Sequence, residues 1–106
     1  MTQSDPIARF DGTTISYTYD NGWEFSNTFE GNVRVTMSPR RGELREPVQI
    51  RELRPEVFLV SWIDGEMGLL TQIIDLENGT ILAAIPSEDN PNSSEIISAT
   101  ISSFDG

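Results

Sequence analysis

Two tyrosines placed two apart, Tyr17 and Tyr19, carry the most pointed chemistry in this sequence. They stand in ISYTYDNGWEF (15–25), just ahead of an Asn-Gly pair. A phenolic hydroxyl donates and accepts, and a buried one needs a partner. Two on one side of a strand therefore imply a water, a polar side chain or a ligand between them. Other reactive groups are scarce. The chain has 106 residues with no cysteine and no histidine. Disulfides and thiolate chemistry are excluded, as are the commonest general base and the commonest metal ligand. Every basic residue is an arginine, and six of the seven (Arg34, Arg40, Arg41, Arg45, Arg51 and Arg54) fall within residues 34–54. A guanidinium fits a carboxylate in bidentate fashion better than an ammonium does. The interleaved Glu43, Glu46, Glu52 and Glu56 offer the plainer alternative of ion pairs on strand surfaces.

Net charge is −10, which argues against nucleic acid and anionic membranes as partners. No apolar run is long enough for a transmembrane helix. The start, MTQSDPIARF, shows neither a basic region nor an apolar core of the secretory kind, so the expected compartment is the cytoplasm. The length suits one domain, 1–106, able to bury a core without staples.

The tyrosines must be positioned by strands. Turn pairs recur along the chain: Asp11-Gly12, Asn21-Gly22, Gly31-Asn32, Arg41-Gly42, Asp64-Gly65 and Asn78-Gly79. Such pairs supply the positive φ of tight hairpins. Between them lie short runs rich in Val, Ile, Thr, Tyr, Phe and Trp, predicting strands near 7–10, 13–20, 23–30, 33–38, 47–53, 57–63, 67–76, 79–85 and 95–103. The predicted fold is all-β, an up-and-down antiparallel barrel of eight or nine strands. Closure removes the exposed edges, and an interior of this size holds packed side chains or one small ligand.

Alternation assigns the inner face. Ile15, Tyr17 and Tyr19 share one side of their strand, Trp23 and Phe25 one side of the next. Val33, Val35 and Met37 follow, then Phe58, Val60, Trp62 and Asp64. This puts Trp23, Val35, Val60 and Trp62 beside the tyrosines as candidate ligand contacts. VFLVSWID, GLLTQIIDL and TILAAI are apolar on both faces, which predicts an outer cover such as the interface of a homodimer.

YTYDNGWEF (17–25) resembles the N-terminal signature of the bacterial phenolic acid decarboxylases. VQIRELRPEVFLVSW (48–62) and GTILAAIP (79–86) are similar to later segments of that family. The same pattern is shared by the molybdenum cofactor biosynthesis protein F-like (MoaF-like) group, and the resemblance covers about residues 14–101. Both groups imply a lipocalin-like (calycin) barrel, and the family often pairs. The decarboxylases continue into a helical C-terminal segment, and a chain of this length looks more like a compact member of the second group.

What the decarboxylase resemblance implies is cofactor-free, metal-free loss of CO₂ from 4-hydroxycinnamic acids. Tyr17 and Tyr19 match the tyrosine pair that holds the substrate carboxylate. Asp64 stands where the family has its proton-donating glutamate. The family arginine maps by spacing to Arg41, with Arg40 and Arg45 as competing positions. Three readings follow: a barrel that binds a small aromatic or otherwise hydrophobic ligand, a decarboxylase or related lyase, and a side-chain-filled barrel acting as an interaction module.

Overall fold

The structure, a computed structural model, describes residues 5–38, 41–65, 67–87, 89–90 and 92–105. A one-turn helix, α1 (Pro6–Phe10), precedes eight strands: β1 (Thr14–Tyr19), β2 (Glu24–Glu30), β3 (Val33–Ser38), β4 (Gly42–Arg54), β5 (Val57–Asp64), β6 (Gly68–Asp75), β7 (Thr80–Pro86) and β8 (Ser94–Asp105). Each strand pairs antiparallel with its sequence neighbour, and β1 pairs with β8 to close the barrel. The predicted up-and-down barrel is the observed one, with eight strands.

The ninth expected strand, at 7–10, is α1 instead. Asp5 caps it, its side chain accepting from the Ile7 N–H at 3.0 Å, and Pro6 occupies the first turn. This Asp-Pro start is a helix signal, and a single turn is too short to show a 3.6-residue period. Phe10 enters the barrel end from α1 with no solvent exposure. Its ring lies 5.1 Å from Phe29, 4.9 Å from Phe58 and 5.8 Å from Phe104.

Strand β4 begins five residues earlier than expected, because it serves two partners. Gly42–Pro47 pairs with β3 and Val48–Arg54 pairs with β5. Pro47 thus falls at the handover rather than at a strand end, where its missing N–H breaks neither ladder. Inner faces follow alternation on β1, β2 and β5, where Ile15, Tyr17, Tyr19, Phe29, Phe58, Val60 and Trp62 are all buried.

On β3 the alternation runs opposite to the expected one. Arg34 and Thr36 point inward and are buried, whereas Val33 and Val35 are half-buried and Met37 is exposed. The hairpin register imposes this. Gly31 and Asn32 form a two-residue link, so Glu30 pairs with Val33 and Phe29 with Arg34. Directly paired residues share a face, and Phe29 is in the core.

Candidate functional site

The end of the barrel away from Phe10 holds a polar pocket. Tyr17 and Tyr19 approach it from β1, their rings 5.4 Å apart and edge to face. Phe25 on β2 packs against both, at 5.8 Å from Tyr17 and 5.6 Å from Tyr19. Gln72, on β6 and almost fully buried, donates from its side-chain amide to the Tyr19 hydroxyl at 2.8 Å and to the Tyr17 hydroxyl at 3.2 Å. Asn27 donates to the Tyr17 hydroxyl at 2.8 Å, and the Asn27 carbonyl oxygen has no hydrogen-bond partner. Burial raises both phenol pKa values above the ordinary 10, and neighbouring Tyr17 raises that of Tyr19 further.

A buried charge cluster forms the adjoining wall. Arg34 on β3 faces Glu46 on β4 as its direct cross-strand partner, and the two side chains form an ion pair. The guanidinium also lies 3.6 Å from the Asp64 carboxylate and 4.5 Å from the ring centre of Trp62. Register makes this meeting possible: Arg34 pairs with Glu46, and Val48 pairs with Trp62, so two residues along β4 and β5 Glu46 comes level with Asp64 and the three side chains fall in one row. The Nε–H of Arg34 is buried and has no hydrogen-bond partner.

Asp64 both builds the β5–β6 turn and lines the pocket. One oxygen accepts from the Met67 backbone N–H at 3.1 Å, the other from the Trp62 indole at 3.3 Å. Glu46 accepts from the Gly65 N–H. Arg41 donates to the Gly65 carbonyl at 2.8 Å. The β5–β6 turn is thereby tied to β4 by Glu46 and to the residue just ahead of that strand by Arg41. Trp23 and Met67 stand at the mouth, with Leu70 and Ile97 completing the wall. The free volume is about 10 Å³, room for one water. An engineered cavity that admits benzene is on the order of 150 Å³.

Of the expected site residues, Tyr17, Tyr19, Trp23, Trp62 and Asp64 converge on this pocket. Val60 is fully buried in the core below it, and Val35 lies on the outer face of β3, paired with Arg45. The expected arginine also differs. Arg41 is exposed at the rim, and Arg45 is exposed and bonded to Glu30 at 2.8 Å and Glu43 at 2.9 Å. Arg40 lies outside the described residues. The guanidinium in the pocket is that of Arg34, which spacing alone had passed over. Asn27 and Gln72 were also missed, and Glu46, expected as an ion-pair partner on a strand surface, pairs with Arg34 inside the barrel. Asn27 and Gln72 alternate with Phe25, Phe29, Leu70 and Ile74, so their parity pointed inward. Among the described residues, no group of three or more His, Cys, Asp or Glu side chains is placed to hold a metal ion.

The MoaF-like family profile matches residues 11–97. The chain belongs to the MoaF-like family. That span runs from the end of α1 into β8 and includes every pocket residue named above. No curated protein sequence matches the chain. Among solved structures, the chain is similar to a Burkholderia vietnamiensis protein carrying a provisional beta-lactamase description. The two align with a TM-score of 0.73 over 94% of this chain and 97% of the other, at 15% identity. At that identity the likeness is one of fold. Among the described residues, no helix of this family member is long and apolar enough to cross a membrane.

Proposed function

We propose that this barrel binds a small aromatic carboxylate in the pocket between the tyrosine pair and Arg34. The observation that carries the reading is the buried guanidinium of Arg34, with an unpartnered Nε–H, in the same pocket as Tyr17 and Tyr19. A buried donor without an acceptor costs about 1–3 kcal/mol, and a ligand oxygen would recover that cost. Phenolic hydroxyls and a guanidinium together satisfy a carboxylate removed from water. Phe25, Trp62, Leu70 and Ile97 supply apolar surface for a ring. With only about 10 Å³ free, entry requires Trp23 and Met67 to move aside. Tryptophan fluorescence tests this, because Trp62 stacks on Arg34. Benzoate or 4-hydroxycinnamate should quench saturably, and Arg34→Met should abolish the effect while its far-ultraviolet circular dichroism shows the barrel still folded. Linear, non-saturating quenching would sink the proposal.

Asp64 in the same pocket favours a second reading, cofactor-free decarboxylation of hydroxycinnamic acids. The Asp64 carboxyl would give its proton to the alkene carbon as the substrate phenol gives up its own, forming a quinone methide. Cleavage of the bond to the carboxylate would release CO₂ and return the electron pair to the ring as a phenolate, which takes up a proton to give the vinylphenol. Here the Asp64 oxygens accept from the Trp62 indole and the Met67 backbone N–H, which hold the carboxyl at the pocket wall. Incubation with p-coumarate and ferulate decides it. A falling substrate absorbance band that Asp64→Asn abolishes supports the lyase, and an unchanged band excludes it.

A further inference from the structure

The Arg34 guanidinium turns two different edges to its neighbours. Its Nη1 pairs with Glu46. Its Nε–H and one Nη2–H point the same way, as in any guanidinium, and form the fork that fits a carboxylate through two parallel bonds. Asp64 engages that fork on one nitrogen only. Its carboxylate lies 3.6 Å from Nη2, and the Nε–H has no hydrogen-bond partner. A charge-assisted bond of this kind is normally about 2.7–2.9 Å long. Two further donors face the same carboxylate, the Trp62 indole at 3.3 Å and the Met67 backbone N–H at 3.1 Å.

We propose that the Asp64 side chain stands in for the carboxylate of a ligand, and that a ligand binds by displacing it. The inference rests on the reading that this pocket takes a carboxylate, and it names the donors that receive one: the Arg34 fork, the Trp62 indole and the Met67 N–H. Charge requires the exchange. One cation, Arg34, already faces two carboxylates, Glu46 and Asp64. The other titratable groups on the pocket wall, Tyr17 and Tyr19, bring no positive charge. A third carboxylate cannot share the fork with Asp64 without strong like-charge repulsion. Space requires it too. The free volume of about 10 Å³ holds no carboxylate, whereas the Asp64 side chain fills the room that one needs.

Glu46 is not the group to leave. It is the direct cross-strand partner of Arg34, and its second oxygen accepts from the Gly65 N–H. Asp64 is the last residue of β5, where the strand gives way to the turn.

Asp64→Ala removes the occupant and leaves the donors. With a far-ultraviolet circular dichroism spectrum showing the barrel folded, this variant should bind benzoate about tenfold more tightly than the native chain, or better, by tryptophan fluorescence. Uncharged benzamide, of the same size, should gain far less. Acetate should refill the fork of Asp64→Ala and raise its urea midpoint, relative to chloride at equal ionic strength, and should leave the native midpoint unchanged. Asp64→Asn keeps the side chain's size and its acceptor for Met67, so it should gain less than Asp64→Ala, and it carries the test if the alanine variant does not fold. Native benzoate binding with no gain in either variant overturns the inference and leaves the carboxylate reading standing. Acetate stabilisation of Asp64→Ala without benzoate binding in any form supports the stand-in and overturns the aromatic ligand. A folded Asp64→Ala indifferent to both anions overturns both.

Discussion

Arg34 and Glu46 face each other across β3 and β4 inside the barrel, 2% and 9% exposed. An isolated charge at that depth is costly, and each of these is held by the other and by a neighbour. Asp64 and the Trp62 ring stand by Arg34, and the Gly65 N–H stands by Glu46.

Breaking this pair should therefore destabilise the fold far more than breaking a surface pair. Removing one partner of a buried pair costs about 3–5 kcal/mol, whereas replacing both with apolar groups of similar volume is often close to neutral. Arg34→Met or Glu46→Met alone should lower the urea midpoint by a corresponding amount, and the double variant should recover only part of the loss, because the Asp64 carboxylate has then lost the Arg34 guanidinium. The exposed Arg45–Glu30 pair gives the contrast, since Arg45→Ala should cost at most about 1 kcal/mol. Equal, small losses at both sites would show that the Arg34 cluster is not excluded from water.

Burial of the two phenols gives a pH dependence of known sign. Both folded-state pKa values lie above the unfolded value of about 10. Below about pH 10 the folded and unfolded chains both keep these protons, and the tyrosines contribute no slope. Above it the unfolded chain releases them first, so stability falls as pH rises toward the folded values. With no lysine, histidine or cysteine in the sequence, no other side chain has an ordinary pKa between about 6 and 10. Urea midpoints should thus be nearly flat from about pH 7 to 9 and lower at about pH 11. Tyrosinate absorbance should rise only as the chain unfolds. Reversible ionisation near pH 10 in the folded protein would contradict the burial of Tyr17 and Tyr19.

How much of this was legible in the sequence depends on which force set each residue. Turn pairs and alternation carried the barrel, its order and the inward tyrosines, because local backbone chemistry decides those. Arg34 was not legible by polarity, since Val-Arg-Val-Thr-Met reads with its apolar residues inside. Counting register across the two-residue Gly31-Asn32 link would have found it, since pairing with Phe29 fixes its side. The Arg34–Asp64 contact depends on two registers in succession, β3 on β4 and β4 on β5, which no single hairpin specifies. α1 was hidden by its length, although its Asp-Pro start was visible.

Phe10 should be worth more than the single helical turn that carries it. Its ring is fully buried among Phe29, Phe58 and Phe104. Truncating a buried Phe costs about 3–5 kcal/mol through lost transfer energy and the cavity left behind. Phe10→Ala should show a loss in that range by chemical denaturation. Asp5→Ala, which removes only the cap, should cost about 1 kcal/mol. A loss below about 1 kcal/mol for Phe10→Ala would mean that α1 is not part of the barrel's core.

Trp23 should control entry to the pocket rather than the stability of the fold. Its backbone is pinned, with its N–H bonded to the Asn21 side chain at 3.0 Å and its carbonyl accepting from Tyr19 at 2.8 Å. Its ring is 42% exposed and lines the mouth. Truncation there removes a cover without opening a hole in the core. Trp23→Ala should change stability by less than about 1 kcal/mol. It should also raise the association rate of a small aromatic carboxylate, as expected when a covering group is removed. The dissociation rate should rise with it, so that equilibrium affinity moves less than either rate. The chain has two tryptophans, and the variant keeps Trp62 alone as the reporter beside Arg34 in stopped-flow fluorescence. An unchanged association rate in an otherwise stable Trp23→Ala barrel would place the entry elsewhere on the mouth, most simply over Met67.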